Sequence, residues 1–419
     1  MFVGITNNAR NYPWGSHTAI AELLGTEPTG EPEAELWLGA HPGSPARILD
    51  PASVSGAATL ADWIAADPQS TGTSAQDGEE PRLPFLMKVL AAASPLSLQA
   101  HPTPEQARAG FKAENESGVP LDAPFRNYKD AHAKPELMLA LSDTFEALCG
   151  FRPVEATRTS LEVLLSADAN LVGGVLAEVS HPELALAEGS PIAALHARLD
   201  SDAELPATFE WLISRGEGVD QLVERVVAAS AAVMAAGDAA PEFATVVSLA
   251  EQYPGDPGIV ISLLINRVSL KRGEVLYLPA GNIHAYLEGL GIEVMAASDN
   301  VLRGGLTPKH VDVAELLRVL DFSPLPVPYL PATALAEGVV EFRPDVSDFV
   351  LVHAEGDVAG LNYPLGGPAI ALCLSGSFQI DGAAASTTIG RGEAVYVTPS
   401  EGSLVLSGSG ELVLATTGV

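Results

Sequence analysis

Gln99 and His101 stand two positions apart in Ser94-Pro-Leu-Ser-Leu-Gln-Ala-His-Pro102, so an extended chain projects both from one face. Glu136, in Lys134-Pro-Glu136, and His284, in Asn282-Ile-His284, bring the side chains able to bind a cation to four. Two imidazoles, a carboxylate and an amide suit Zn²⁺ or another divalent ion and leave positions open for a substrate. The competing reading makes Gln99 and His101 ordinary polar residues at a barrel rim. Lys134, Glu293, Asp299, Arg303 and Lys309 lie in the same or neighbouring stretches. The chain carries 53 acids against 22 bases, a net charge of -31, which makes each base in a polar cluster informative. Three cations beside an expected helix N-terminus point to an anion, most commonly phosphate. The plainer alternative leaves Lys309 as an exposed helix residue. A divalent ion, a buried acid and a phosphate site together imply proton transfer beside the carbonyl of a sugar phosphate. The metal would polarise substrate oxygens, and a positioned base would move a proton between adjacent carbons.

Short strands and their ends must hold these groups. Leu276 to Asp312 reads as strand, turn, strand, turn, strand, loop, helix. Pro279 to Asn282 supplies turn chemistry. Ile283 to Leu287 then alternates, so His284 and Tyr286 point the same way. Gly289 and Gly291 mark another turn. Glu293 follows in the apolar strand Ile292 to Ala296, where a lone carboxylate is costly unless paired or metal-bound. Asp299 and Asn300 open a loop that Arg303-Gly304-Gly305 crosses. Thr307 as N-cap and Pro308 at the first helical position predict a helix, with Val313, Leu316, Leu317 and Leu320 as its apolar stripe. Upstream, Thr103, Pro104 and Gln106 form a capping box, so the strand ends at His101 and a helix leaves at once. Pro84 to Leu90 is a buried strand with Lys88 at its centre. Pro135 belongs at a strand start or edge, which places Lys134 and Glu136 on one face at a barrel mouth. Glu35, Trp37, Gly39 and His41 alternate on one face. Trp14 and Trp37 are expected to pack in the core and His41 to form structural hydrogen bonds.

At 419 residues, two or three domains are expected. Residues 1 to 50 look β-rich, 71 to 82 polar and loop-like. From Val154 the period becomes helical: Leu161, Leu164 and Leu165, then Ile192, Leu195 and Leu199, then Phe209, Leu212 and Ile213. Val223, Val226 and Val227, then Phe243, Val246 and Val247, continue it, and Tyr253-Pro-Gly-Asp-Pro-Gly258 ends it. This block, 154–257, is read as a helical insert without chemistry. Strands resume at Ile259. Arg272-Gly-Glu-Val-Leu-Tyr-Leu278 is repeated as Arg391-Gly-Glu-Ala-Val-Tyr-Val397, and a hairpin is expected from Gly376 to Gly382. Two related β units suggest two barrels of one type. Laid over each other, His284 falls opposite Ser403, so the second barrel is expected to be structural. The fold expected is therefore mainly β: a catalytic domain of 1–153 with 258–330, the helical insert, and a C-terminal β domain of 331–419 without metal ligands. The acidic charge disfavours nucleic acid and anionic membrane. Cys149 and Cys373 are too few for a disulfide framework or a Cys-rich zinc site. The N-terminus has no signal-peptide pattern. The longest apolar stretch, Val226 to Ala236, is too short to span a bilayer. A cytoplasmic monomer is expected.

Several motifs go further: Asn11-Tyr-Pro-Trp-Gly-Ser16, Ala34-Glu-Leu-Trp-Leu-Gly-Ala-His41, Leu83-Pro-Phe-Leu-Met-Lys-Val-Leu90 and Ser97-Leu-Gln-Ala-His-Pro102. With them stand Lys134-Pro-Glu136, Tyr277-Leu-Pro-Ala-Gly-Asn-Ile-His-Ala-Tyr286 and Ser298-Asp-Asn-Val-Leu-Arg-Gly-Gly-Leu-Thr-Pro-Lys309. In these the sequence resembles the type I mannose-6-phosphate isomerases of the cupin superfamily. The resemblance implies two cupin-like, jelly-roll-type barrels. It implies one zinc ion per chain, held by Gln99, His101, Glu136 and His284. It also implies interconversion of mannose 6-phosphate and fructose 6-phosphate through an enediol. Arg303 becomes the catalytic arginine, stabilising a developing oxyanion. Glu293 and Lys134 are candidates for the base, burial raising Glu293 toward a useful range. Ser97, Trp14, Asp299, Lys309 and Tyr286 are expected to contact substrate. Two alternatives remain at this point: a cupin oxygenase using Fe²⁺, and a non-catalytic sugar-phosphate-binding cupin.

Overall fold

The computed structural model describes residues 1–72, 81–173, 190–237 and 240–418. Most of the polar stretch 71–82 lies outside the described residues, as do 174–189 and 238–239 of the helical block. The chain opens with β1 (Phe2–Thr6), α1 (Ala19–Leu24), β2 (Glu35–Leu38), β3 (Arg47–Ile48) and α2 (Leu60–Ala66). Next come β4 (Phe85–Ala92), β5 (Gln99–Ala100), α3 (Pro104–Glu116), β6 (Glu136–Ala140) and β7 (Thr144–Phe151). The helical block holds α4 (Val154–Gly173), α5 (Pro191–Arg198), α6 (Leu205–Ile213), α7 (Val219–Ala235), α8 (Pro241–Gln252) and α9 (Gly258–Ile261). Strands return as β8 (Ile265–Lys271), β9 (Val275–Leu278), β10 (His284–Ala296) and β11 (Leu302–Arg303), followed by α10 (Val313–Val319). The last part is β12 (Thr333–Ala336), β13 (Val339–Phe342), β14 (Val350–Pro364), β15 (Ala369–Asp381), β16 (Ser386–Gly390), β17 (Ala394–Val397) and β18 (Ser403–Thr416).

Among the described residues eighteen strands form two nine-stranded sheets. One contains β2 and β4 to β11, and its strands carry Gln99, Glu136, His284, Tyr286, Glu293 and Arg303. The other contains β12 to β18 together with β1 and β3. The first strand of the chain thus pairs in the C-terminal sheet: Phe2 lies opposite Val397, and Ile5 opposite Ala394 and Ile48. The helical block packs on the outside of the first sheet. Its buried Leu161, Leu195, Phe209 and Val226 share a core with Ile283, Ala285 and Leu287 of the strand that carries His284. Alternation explains the division of labour: the odd-numbered residues face the helices, and His284 and Tyr286 face the other way.

Three sequence expectations fail. Ile259 to Leu264 is not strand but α9 and a short 3-10 turn, with strand beginning at Ile265. A fully buried apolar run has no period to separate helix from strand. Gly289 and Gly291 do not make a turn, because β10 runs unbroken through both. They sit where β10 changes partners, from β5 and β7 to β4 and β6. A Cβ on Gly289 would stand 2.6 Å from Phe145, and one on Gly291 would stand 2.5 Å from the Met138 sulfur. The glycines are there for close approach, not for chain reversal. Gly376 likewise lies within β15, and the hairpin to β16 turns after Asp381.

Candidate metal centre and substrate cavity

β10 sets the register of the site. His284 lies opposite Gln99 of β5, Met295 opposite Glu136 of β6, and Gln99 in turn opposite Arg303 of β11. His101 follows β5 just before α3, whose capping box forms as expected: Thr103 Oγ1 accepts from Gln106 N at 3.2 Å. Pieces of chain far apart in sequence therefore meet at one point. His101, Glu136 and His284 are all buried there.

Two backbone carbonyls fix the histidines. His101 Nδ1 lies 2.8 Å from Asn300 O and His284 Nδ1 lies 3.0 Å from Asn282 O. A carbonyl only accepts, so on this network each Nδ1 carries the proton and each Nε2 presents a lone pair. Those Nε2 atoms stand 3.2 and 3.3 Å from the two carboxylate oxygens of Glu136. His101 Nε2, His284 Nε2 and Glu136 Oε2 are buried without a hydrogen-bond partner. Lone pairs facing lone pairs in a buried site repel one another, and a cation between them removes the repulsion. One ligand atom from each residue lies within 4.8 Å of the others. Two imidazoles and a carboxylate, each imidazole oriented by a second partner, fit a zinc-type ion. Protonation agrees. Burial pushes His101 down to about 4, against the pull of Glu136. Burial raises Glu136, but Lys134 Nζ at 2.8 Å and His101 outweigh it and hold the carboxyl well below its usual range.

The metal-type cluster ends a cavity of about 590 Å³. Trp14, Ser97, Gln99, Lys134, Glu136, Tyr286, Glu293, Asp299, Arg303 and Lys309 all line it. Only His101 and His284 among the sequence candidates are off the wall, and both reach Glu136, which is on it. Gln99 lies on the wall and in register between His284 and Arg303. Arg303 and Lys309 make no side-chain hydrogen bond or ion pair among the described residues, and burial lowers both from their usual values. Tyr286 Oη is buried without a partner, and burial with nearby Glu293 and Glu136 keeps its proton on.

Two placements differ from expectation. The helix after the Arg303 loop starts at Val313, not Pro308, with Asp312 Oδ1 capping Glu315 N at 3.1 Å. Thr307 Oγ1 instead accepts from Lys309 N at 3.1 Å, a local turn. Lys309 therefore sits in a loop, and no helix N-terminus faces the cavity there. Trp14 and Trp37 are half-buried cavity walls, not core residues. Trp14 stacks on Tyr12 at 5.7 Å and Trp37 Nε1 donates to Glu35 Oε2 at 2.9 Å. His41 has the expected structural role, accepting from Gly43 N at 3.1 Å, and its Nε2 lies 3.2 Å from Asp299 Oδ1.

Lys88 was not among the sequence candidates. It lies opposite both Trp37 and Glu293 in register. Its Nζ is 2.6 Å from Glu293 Oε2, 3.5 Å from Glu35 Oε1 and 5.1 Å from the Trp37 ring centre. Burial works against its charge, but Glu293, Glu35 and Glu136 outweigh that and hold Lys88 above the lysine range. Glu293 itself is raised by burial, with Lys88 opposing. The signal was present: a lysine inside a strand buried at all eight positions obeys the same rule that singled out Glu293. Gln252 and Tyr253, at the end of α8, also line the cavity, so the helical block is not without a part in the site.

Known proteins resemble this chain in sequence and in fold. The family model for the catalytic domain of type I phosphomannose isomerase matches residues 2–154. The chain is 34% identical over 411 residues to the mannose-6-phosphate isomerase of Escherichia coli, covering 97% of each. It is 35% identical over 364 residues to that of Homo sapiens, covering 83% of this chain and 80% of the relative. A solved lysine-to-alanine variant of phosphomannose isomerase from Salmonella typhimurium superposes with a TM-score of 0.84 at 32% identity, each chain fully covered. A solved mannose 6-phosphate isomerase bound with zinc and yttrium superposes with a TM-score of 0.83 at 32% identity, again over the whole of both chains.

Proposed function

The chain belongs to the type I phosphomannose isomerases, and from that premise we propose that it interconverts D-mannose 6-phosphate and D-fructose 6-phosphate with one zinc ion per chain. The observation that carries this is the convergence of three unpartnered, buried ligand atoms on one point at a cavity that also holds a buried acid and two free cations. His101, Glu136, His284 and Gln99 would hold the zinc, which, when bound, polarises the substrate's carbonyl and hydroxyl oxygens. Glu293 is our base. It takes the proton from C2 of the open-chain aldose and returns it to C1, while the proton on the C2 hydroxyl passes to the C1 oxygen. Burial raises its affinity for that proton, and Lys88 limits the rise, as a reversible base requires. Lys134, tied to Glu136, is the poorer base and the better stabiliser of ligand charge. Arg303 faces the negative oxygen of the enediol, and the protonated Tyr286 Oη donates to a substrate oxygen. Lys309 and Ser97 take the phosphate; Trp14 and Asp299 bound the sugar. Neither the oxygenase nor the binding-only alternative draws support from the relatives, and the buried Lys88–Glu293 pair has no use in mere binding.

The two sheets are each read as a cupin-like barrel, on the strength of their matching turn-and-strand units. Among the described residues no helix is long and apolar enough to cross a membrane. Two buried, unpaired cysteines suit a reducing compartment, the cytoplasm. The test is a coupled assay with mannose 6-phosphate, before and after chelation and after zinc is restored. Turnover that persists in protein shown to be metal-free would remove the zinc assignment. Arg303→Ala should lower kcat by about 10² with metal content intact. Near-normal turnover would take Arg303 off the catalytic list.

A further inference from the structure

Asp256 lies between α8 and α9, and its carboxylate reaches out of the helical block to the loop that follows Arg303. Its Oδ1 accepts from Gly258 N at 2.7 Å and from Leu306 N at 3.0 Å, and its Oδ2 accepts from Thr307 N at 3.4 Å. The first bond closes a local turn. The other two cross to a loop that needs holding, because Leu306 has φ 54 and Gly305 φ 115. A leucine in the left-handed region persists only where its surroundings over-determine it. The contact is backbone to backbone: a Cβ on Gly258 would stand 2.8 Å from Leu306 Cγ and 2.9 Å from Leu306 N. On the opposite side, Leu98 N donates to Gly305 O at 3.1 Å and Gly304 N donates to Leu98 O at 2.8 Å. The loop is therefore clamped between the segment that carries Gln99 and the carboxylate of Asp256. Among the described residues Arg303 has no side-chain partner of its own to aim it.

We propose that Asp256 is a positioning residue: it holds the 304–307 backbone in its left-handed course and so aims Arg303 and Lys309 into the cavity. The kinetic part of this rests on the isomerase reading; the structural part does not. The helical block then acts on the reaction through the loop, as well as through the wall formed by Gln252 and Tyr253.

The experiment compares Asp256→Ala with wild type, alone and combined with Arg303→Ala, following amide hydrogen exchange, zinc content, kcat and KM. Asp256→Ala should speed exchange at Leu306 and Thr307 by about 10-fold or more. It should lower kcat by up to about 10²-fold and leave zinc content unchanged. In the Arg303→Ala background it should cost kcat less than about 3-fold, because the kcat effect runs through Arg303, and what remains, through Lys309, should show in KM. Asp256→Asn keeps the Oδ1 acceptor and should restore most of kcat. Should Asp256→Ala fail to fold, Asp256→Ser keeps a short acceptor for the Gly258 turn but cannot span to the loop, and it carries the same expectations. Unchanged exchange at Leu306 and Thr307, or losses that multiply independently with Arg303→Ala, would overturn the proposal. If wild type has no isomerase activity, the functional reading fails while the exchange result still decides the tether.

Discussion

In the first sheet Arg272-Gly273-Glu274 turns into β9 and the chain returns as β10; in the second Arg391-Gly392-Glu393 turns into β17 and returns as β18. The glycines have φ 83 and 82. Glu274 Oε2 accepts from Lys271 N at 2.9 Å, as Glu393 Oε2 accepts from Gly390 N at 2.7 Å. β6 lies between β9 and β10 in one sheet, as β15 lies between β17 and β18 in the other. Where Glu136 faces Leu278, Ala369 faces Val397; where β10 opens on His284, β18 opens on Ser403. The second interior is filled by Phe378, Ile380, Leu404, Leu406 and Leu412, all buried. One scaffold therefore serves two ends. Polar side chains at a few register positions leave a cavity and a cation site in one copy, and apolar ones close the other into core.

Exchanging those positions breaks the comparison most sharply. Glu136→Ala or His284→Ser, which copy the second sheet into the first, should abolish bound zinc and cut activity by about 10³ or more, read by metal analysis and the isomerase assay. Metal retained at wild-type occupancy would mean the ligands lie elsewhere. The reverse change, Ala369→Glu, puts an unpaired carboxylate into the filled interior. It should destabilise by about 3 kcal/mol or more in denaturant unfolding without creating a metal site. Lys88→Met asks whether the first sheet's charges are held in pairs. It should cost about 3 kcal/mol, because Glu293 and Glu35 lose their cation, and should shift the acid limb of the kcat profile upward as Glu293 loses an opposing charge. A shift in the other direction would contradict the pairing. The smallest effect lies in the second sheet's own buried pair, Glu411 with His353 Nε2 at 2.9 Å. Burial raises Glu411, but His353 and Arg272 outweigh it and hold the carboxyl below its usual value. Its contribution is thus present above the unfolded value of about 4.3 and lost as pH falls through the folded one. Glu411→Gln should flatten the loss of stability below about pH 5, measured by melting temperature.

Much of this was legible in the residues. His284 does open a strand, the capping box after His101 does form, and Glu293 in its apolar strand is indeed paired, with Lys88. The misreadings have physical causes. Lys88 was passed over because its partners, Glu293 and Glu35, come from other strands and no local spacing records them. Trp37 is expected in the core because aromatic burial is the commoner fate, yet it lines the cavity. Pro308 looked like a helix start because Thr-Pro satisfies local capping rules, yet Asp312 also caps, and tertiary contacts chose it. The part taken by Asp256 and Tyr253 was invisible, since nothing in a helical stretch announces which end will meet a distant loop.

β1 pairs with β17, so Phe2 waits for Val397. On a ribosome β1 emerges long before β17 exists, and until then it can pair only on its β3 side and carries one bare edge. The second sheet is consequently a clasp that shuts only once β17 has been made. A premature stop anywhere before Ala394 would leave β1 without that neighbour even in a product whose catalytic half is intact in sequence.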